Sequence, residues 1–399
     1  MRSSLRPVPA ADARRILESA GQVISPEVVD LGDAAGRVLA GSLVATEDLP
    51  AFPRSAMDGF AVRAADVAGA TEAAPVRLAL AGAVEMGARP ARSVGPGQAM
   101  AIPTGGHLPD GADAVVMVEQ VEVEGGAAVV RASVPAGRNV IPPGEDVGRG
   151  TEVLAAGQRL GPAEVALLAA LGQLAVTVHR RPRVAVLSSG TELCAPGEVP
   201  APGKIRDVNQ YSLAALAASA GCLVRREGLA PDDRPALEAA VAAALGGADV
   251  LLMSGGSSVG GRDHTGEVFA GLGEVLFHGI AVRPGRPTLV ARAGDKLLVG
   301  LPGVPAAALV IFEVFIRPLL RRLGGERAPR PWPVTARLAT AHTSVVGRED
   351  YLRVHLVDQA GEAWAAPVAG LAAADGLVII PAEVTAVGAG DPVRVLPLR

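Results

Sequence analysis

Cysteine is scarce. Cys194 and Cys222 are the only two in the chain, too few for a disulfide framework or a four-ligand zinc site, and a reduced, cytoplasmic setting fits them. Aromatic residues make up 3% of the sequence, so nothing in it suggests an aromatic peptide-binding groove. No run of 18 apolar residues occurs, and no membrane span is expected. The opening MRSSLRPVPAADARR lacks the apolar core of a signal peptide. Positive charge is not in excess either. The formal net charge is −4, and no nucleic-acid footprint is expected. Lysine and isoleucine give way to arginine and alanine, as a GC-rich coding bias would produce, and this says little about function. Apolar residues, at 49%, are ample for real cores, and the 49 glycines and 32 prolines are spread along the chain. That distribution implies many turns rather than a low-complexity tail. A length of 399 residues suggests two to four domains.

The most informative stretch is VLLMSGGSSVGGRD, residues 250–263. Val250 to Met253 is a short apolar run ended by serine and glycine, the pattern of a strand buried on both faces. In the loop that follows, Ser254, Gly255, Gly256, Ser257, Ser258 and Gly260 combine backbone freedom with hydroxyls. Such turns aim N–H groups at an anion. Asp263 adds a carboxylate able to hold Mg²⁺, which favours carboxylates together with substrate phosphates. The plainer reading is a glycine-rich connector, and one glycine-rich loop does not decide between the two.

Helical spacing covers Ala10 to Ala20, and Val23 to Ala40 mixes a strand with a short helical piece. Prolines 50 and 53 fix an extended entry to the turn at Asp58–Gly59. From Val76 to Val134, short evenly spaced apolar stretches suggest a small β-domain or barrel. Pro162 to Leu171 reads as a helix. From Arg183 the texture alternates. Strands are expected at Val184–Leu187, Leu223–Arg225, Val250–Met253 and Leu298–Leu301, and helices at Tyr211–Ala220, Pro235–Leu245 and Ala306–Leu323. Asn209 is expected as an N-cap and Gly221 at the C′ position. This alternation implies βαβ units in a parallel sheet. GGERAPRPWP marks a boundary, and Val334 to Arg399 reads as short strands forming a second small β-domain.

Acidic residues follow successive strands of that sheet. Glu192 comes after the first, Asp207 opens a helix, Asp232 and Asp233 follow the next strand, and Asp263 follows the third. Ligands in open α/β sheets sit at the carboxyl ends of strands. Carboxylates converging there beside a phosphate cradle suit Mg²⁺ and phosphoryl chemistry. Asp207, Asp232 and Asp233 can equally be plain helix caps.

Several short motifs occur in order: SAMDGFAV at 55–62, IPTGG at 102–106, DGADAVVMVEQ at 110–120, SSGTEL at 188–193, IRDVN at 205–209 and PDDRPAL at 231–237. SGGSSVGGRDHT at 254–265, VRPGRP at 282–287 and LPGVPAAA at 301–308 complete the set. Together they resemble the molybdopterin molybdenumtransferase family, to which bacterial MoeA and the C-terminal domain of gephyrin belong. The resemblance runs from about residue 42 to 325 and is weaker on both sides. It implies an elongated homodimer of α/β plus β class. The implied domains are a linking domain (24–45 and 138–181), a β-barrel-like insert (46–137), a molybdopterin-binding-like α/β domain (5–23 and 182–326) and a C-terminal β-domain (330–399).

The implied reaction inserts molybdate into adenylylated molybdopterin, releases AMP and yields molybdenum cofactor. Asp58 and Thr104 would act across the dimer interface with Glu192, Asp233 and Asp263. Ser254, Gly255, Gly256, Ser257, Ser258 and Gly260 would cradle the pterin's phosphate, and Pro302 and Pro305 of LPGVP would line the substrate site. Glu192, Asp207, Asp232 and Asp263 would hold Mg²⁺. Arg283, Arg286 and Arg348 would face the oxyanion, since guanidinium geometry suits molybdate. Contacts with the molybdopterin adenylyltransferase and with acceptor molybdoenzymes are also implied. The chain departs from the family pattern in three places. Arg283 and Arg286 stand where lysines are common, Val304 replaces the asparagine of LPGNP, and the segment from Gly370 to Ala374 has no serine. Two other activities fit parts of the pattern: a molybdopterin adenylyltransferase on the same sheet fold, and a non-catalytic scaffold of the gephyrin C-terminal type.

Overall fold

The structure is a computed structural model that describes residues 6–231, 233–255, 264–327, 333–370 and 372–398. It divides into two compact units. The first comprises Met1–Ala40, Ala156–Gly161 and Val176–Arg399, and the second Gly41–Ala155 and Pro162–Ala175. No helix among the described residues is long and apolar enough to cross a membrane.

The chain opens with helix α1 (Ala10–Ser19), which lies in the first unit. Its Ala10, Ala13 and Leu17 recur at helical spacing and are buried in that unit's core. In the second unit, strands β1 (Gly59–Val62), β2 (Val76–Ala83), β3 (Gln98–Ile102), β4 (Ala114–Met117), β5 (Val121–Glu124) and β6 (Ala127–Val130) form one sheet, ordered β4-β1-β3-β2-β6-β5. Phe60, Val62, Leu78, Val116 and Val130 fill a core on one face, and Ala61, Met100, Ile102 and Val115 on the other. Around the sheet, Leu43–Val44 pairs with Glu152–Leu154, and Arg54–Ser55 with Val140–Ile141. Helix α2 (Pro162–Ala170) follows.

The first unit is built on a six-stranded sheet. Its elements run β7 (Arg183–Ser189), α3 (Asn209–Ser219), β8 (Leu223–Ala230), α4 (Arg234–Leu245), β9 (Val250–Ser254), α5 (His264–Leu272) and β10 (Glu274–His278). Then come a two-residue strand β11 (Val282–Arg283), β12 (Leu289–Ala293), β13 (Lys296–Leu301), α6 (Pro305–Ile311) and α7 (Arg317–Leu323). The strand order is β8-β7-β9-β13-β12-β10. Alternation along each strand sends side chains to opposite faces. Val184, Val186, Val250 and Leu252 thus join the core under α1, α3, α6 and α7, while Ala185, Leu187, Leu251 and Met253 join the core under α4 and α5. Truncating one such leucine to alanine costs about 2–5 kcal/mol.

Three expectations need correction here. The sheet is not wholly parallel, because β12 runs antiparallel to both β13 and β10. Asn209 is not the N-cap of α3 but its first helical residue. The single helix expected over Ala306–Leu323 is interrupted by a π-helical stretch over Phe312–Ile316. The cause is Pro318, which has no N–H to return to the carbonyl of Val314.

The C-terminal strands β14 (Val334–Leu338), β15 (Glu349–Gln359), β16 (Glu362–Pro367), β17 (Gly376–Ile380) and β18 (Pro392–Pro397) close into a five-stranded barrel. The order is β15-β16-β14-β18-β17, with β17 returning to β15. Leu338, Val354, Ala365, Val378 and Val395 fill it. Strand β11 pairs with β15 and so joins this barrel to the loop after β10.

Candidate active site

The carboxyl ends of β7, β9 and β13 lie side by side, with Ser188 opposite Ser254 and Ser254 opposite Leu301. Asn209 ties them together from the start of α3. Its Nδ2 donates to Ser254 Oγ at 2.6 Å and to the Gly303 carbonyl at 2.8 Å. Gly255 has φ +97°, and a Cβ there would sit 1.9 Å from the Ser189 carbonyl oxygen. Only glycine lets the backbone turn away so close to the neighbouring strand. Beside this junction, Ser188 Oγ, Ser189 Oγ and Asn209 Oδ1 are buried with no hydrogen-bond partner among the described residues. So are His264 Nδ1 and Thr265 Oγ1 at the start of α5. Buried polar atoms are ordinarily satisfied, and a cluster of orphans on a strand edge calls for a polar ligand or ordered water. Gly256, Ser257, Ser258, Gly260 and Asp263, and likewise Asp232, lie outside the described residues.

The expected carboxylates divide by role. Glu192 is exposed, and its carboxylate oxygens lie 2.7 and 2.8 Å from where a Cβ on Gly190 would be. It therefore folds back over the end of β7, and it accepts no hydrogen bond from the described residues. Asp207 is 3% exposed, and its Oδ1 accepts the Gln210 N–H at 3.2 Å, capping α3. Asp233 caps α4 by accepting from the Ala236 N–H at 3.1 Å. The capping reading thus accounts for Asp207 and Asp233. Glu192 and Asp207 still lie on adjacent segments, since the Ile205 N–H donates to the Glu192 carbonyl and the Asp207 N–H to the Cys194 carbonyl. Hard carboxylate oxygens at this edge fit Mg²⁺ in kind. The described residues alone do not gather three metal-ligating side chains.

The arginines expected at the site lie on the loop after β10 and at the entry to β15. Arg283 and Arg286 are exposed, and neither side chain has a partner among the described residues. The turn between them is fixed by Ile280 N–H donating to the Arg286 carbonyl and Thr288 Oγ1 donating to the Gly285 carbonyl. Arg283 stands opposite Asp350 in the β11–β15 register. Arg348 donates through Nε to Asp350 Oδ1 at 2.9 Å. The Asp350 carboxylate thus engages Arg348, while Arg283 is its neighbour in backbone register alone. Pro302 is buried beyond β13, and Pro305 is the first residue of α6. Val304 holds that helix's N-cap position with no side-chain hydrogen bond. Both cysteines are free and buried, and burial pushes the Cys222 thiol up to about 12, so it is no nucleophile at neutral pH.

In the second unit, Asp58 precedes β1 and Thr104 follows β3, and Gly59 pairs with Ile102 in the register of those strands. Asp58 Oδ1 accepts the Thr104 N–H at 2.7 Å and its hydroxyl at 2.8 Å. These two bonds hold the exposed carboxyl below its usual range.

Sequence reasoning passed over Ser188, Ser189, Asn209, Gly303, His264 and Thr265 as site residues. A signal existed for the first two. Polar residues directly after an apolar strand run stand at the ligand-binding edge of an α/β sheet. Asn209, Gly303, His264 and Thr265 carry no comparable signal, because only folding places them beside that edge.

Known proteins bear on this arrangement. Residues 8–172 match the MoeA N-terminal region (domains I and II), residues 185–322 the probable molybdopterin binding domain, and residues 335–398 the MoeA C-terminal region (domain IV). The chain is 36% identical over 386 residues to a molybdopterin molybdenumtransferase of a Nostoc species, covering 93% of this chain and 88% of that one. It is 37% identical over 397 residues to molybdopterin molybdenumtransferase 2 of Mycobacterium tuberculosis, covering 96% and 98%. The crystal structure of a molybdopterin biosynthesis MoeA protein from Pyrococcus horikoshii superposes with a TM-score of 0.86 at 30% identity, over 98% of this chain and 99% of that one. With three matched regions spanning nearly its whole length, the chain belongs to the molybdopterin molybdenumtransferase family.

Proposed function

We propose that this chain is a molybdopterin molybdenumtransferase, taking adenylylated molybdopterin and molybdate to molybdenum cofactor and AMP. The observation that carries the reading is the junction at Asn209, Ser254, Gly255 and Gly303, with orphaned buried polar atoms beside it, in a chain of this family. The uncharged donors of that edge suit the pterin and its phosphate, with Ser254 and Gly255 opening the cradle. The substrate pair carries a pyrophosphate and an oxyanion, and Arg283, Arg286 and Arg348 supply cationic forks for the oxyanion. Two Mo–S bonds form to the dithiolene as one molybdate oxygen leaves as water with the two thiol protons, and a second water cleaves the phosphoanhydride, releasing AMP and leaving the phosphate on the pterin.

Mg²⁺ would be held by Glu192 and Asp207, joined by Asp232 and Asp263, and would offset charge on the phosphoanhydride. Asp233 would act from the cap of α4. The reading also takes the enzyme as a cytoplasmic homodimer. Asp58, kept ionised by Thr104, would serve the site of the partner copy, and Pro302 and Pro305 would shape the pterin's seat. The product would pass to acceptor molybdoenzymes and the substrate would come from the adenylyltransferase.

The test is AMP release by purified protein from adenylylated molybdopterin. Release that requires both molybdate and Mg²⁺ is the expected result. Release at the same rate without molybdate, or none with both present, would overturn the reading.

A further inference from the structure

The oxyanion side contains a small hydrogen-bonded chain that the proposed reaction does not itself call for. Asp350 is 2% exposed, yet it is a carboxylate. Its Oδ1 accepts Arg348 Nε at 2.9 Å, and its Oδ2 lies 3.2 Å from His342 Nε2. An ionised carboxylate can only accept, so His342 Nε2 carries a proton and donates it. Both oxygens are thereby engaged. The backbone of Asp350 is held on both sides, opposite Arg283 on β11 and Ile380 on β17.

We propose that Asp350 and His342 are positioning residues that aim Arg348 at a tetrahedral dianionic oxyanion. The inference rests on the oxyanion role given to Arg348 above. A guanidinium has five donors in a fixed fork. The Asp350 bond occupies Nε and leaves the two terminal nitrogens with no partner among the described residues. A long arginine side chain free to rotate loses rotamer entropy when it grips a ligand. One already pinned at Nε has lost it in advance, and this favours binding. His342 in turn keeps Asp350 from rotating off Arg348. The buried carboxylate does not cancel the cationic character of the locus, because Arg283, opposite Asp350 in backbone register, makes no ion pair among the described residues.

The experiment uses the full-length protein with Asp350→Asn, His342→Gln, Arg348→Ala and the Asp350→Asn/Arg348→Ala double variant. AMP release is measured against molybdate and against adenylylated molybdopterin separately. Asp350→Asn should raise the molybdate concentration for half-maximal turnover by about three- to thirtyfold, the loss of one charge-assisted partner. Its maximal rate at saturating molybdate and its KM for the pterin should stay within about twofold. A residue that merely supports the barrel would move all three. In the Arg348→Ala background the Asp350→Asn change should add nothing to the molybdate requirement, because it acts through the group already removed. An equal loss in both backgrounds, or an unchanged molybdate requirement in Asp350→Asn, would overturn the proposal.

Calorimetric titration with tungstate separates this from failure of the proposed function. If wild type releases no AMP but binds tungstate and Asp350→Asn binds it several-fold less tightly, the positioning role stands alone. If tungstate binds both equally, it falls. Should Asp350→Asn fail to fold, His342→Gln carries the same test, with a two- to fivefold rise expected and no rise overturning it.

Discussion

Replacing Asn209 by alanine removes a side chain that joins β9 to the turn after β13. Asn209 Nδ2 donates to Ser254 Oγ at 2.6 Å and to the Gly303 carbonyl at 2.8 Å. Ser254 can reorient its hydroxyl, but the Gly303 carbonyl has no other partner among the described residues. Gly303 is exposed, so water can take over its carbonyl, and each lost bond costs about 0.5–1.5 kcal/mol. Water entering the vacated space would recover part of this. The net expectation is a loss of about 1–2 kcal/mol in the first unit. At roughly 2–4 °C per kcal/mol for a body of this size, its calorimetric transition should fall by about 2–8 °C. The second unit's transition should stay put. Asn209→Asp sharpens the test. Its carboxylate keeps the shape but faces the Gly303 carbonyl with an acceptor, so it should be at least as damaging at neutral pH. Protonation restores a donor, which raises the carboxyl's folded pKa above its unfolded one. The relative stability of Asn209→Asp should therefore recover as pH falls and be lost as pH rises. A shift of less than about 1 °C in Asn209→Ala would refute the reasoning, since it would mean the junction holds without its central donor.

Four further outcomes are expected. Val304→Asn should give α6 the cap it lacks and raise the first unit's stability by about 1 kcal/mol in urea titration; no gain would mean the cap position is already satisfied. Asp58→Asn should leave both thermal transitions within about 1 °C while lowering maximal AMP release at least tenfold, and because Thr104 holds the carboxyl below its ordinary value of 3.8, that residue should add no ionisation step to the rate profile above pH 5. Glu349 is raised by burial but lowered more by hydrogen bonds from Arg14 and Tyr351, so its folded pKa lies below the ordinary 4.5; its contribution is present above that value and lost as pH falls through the folded pKa, and Glu349→Gln should flatten the acid limb of the stability profile. Arg286→Ala should raise the molybdate requirement about ten- to a hundredfold with little change in pterin affinity, and the opposite pattern would assign the arginine to the pyrophosphate.

Much of the first unit is legible from local pattern. Val184–Leu187 and Val250–Met253 are apolar without interruption because both faces of a central strand are covered. Gly221 takes φ +93° after α3, as a C′ glycine does. Strands β10 and β12 were not legible as elements of the sheet, although one cue existed. Ala293 pairs with Lys296, so Gly294–Asp295 forms a two-residue hairpin turn, and that dipeptide between apolar runs is a hairpin signal. At the candidate site the serine–glycine turn at Ser254 and Gly255 was legible in residue type, whereas Asp207 and Asp233 proved to be helix caps and Asp232, Asp263 and the rest of the loop lie outside the described residues. It was not legible at Asp350 and His342. A buried carboxylate looks in sequence like any other aspartate, and only folding sets it against Arg348 and His342.

On the proposed function, the first unit would meet its two substrates by different physics. At the ends of β7, β9 and β13 the groups left over after folding are uncharged: serine hydroxyls, an amide oxygen, a threonine hydroxyl and a histidine nitrogen. Uncharged groups can be buried beside a strand edge at modest cost and then matched by a ligand that is itself a hydrogen-bonding ring and phosphate. At β11 and just before β15 the groups are guanidinia: Arg283 and Arg286 are exposed, and Arg348 is half-buried against Asp350. An unpinned side chain loses rotamer entropy when it grips a small ion. A buried carboxylate behind Arg348 restores order without covering the terminal nitrogens. Arg283 and Arg286, whose side chains have no partner among the described residues, keep the charge of the lysines they replace and add a planar fork of donors, whereas an ammonium offers only its charge.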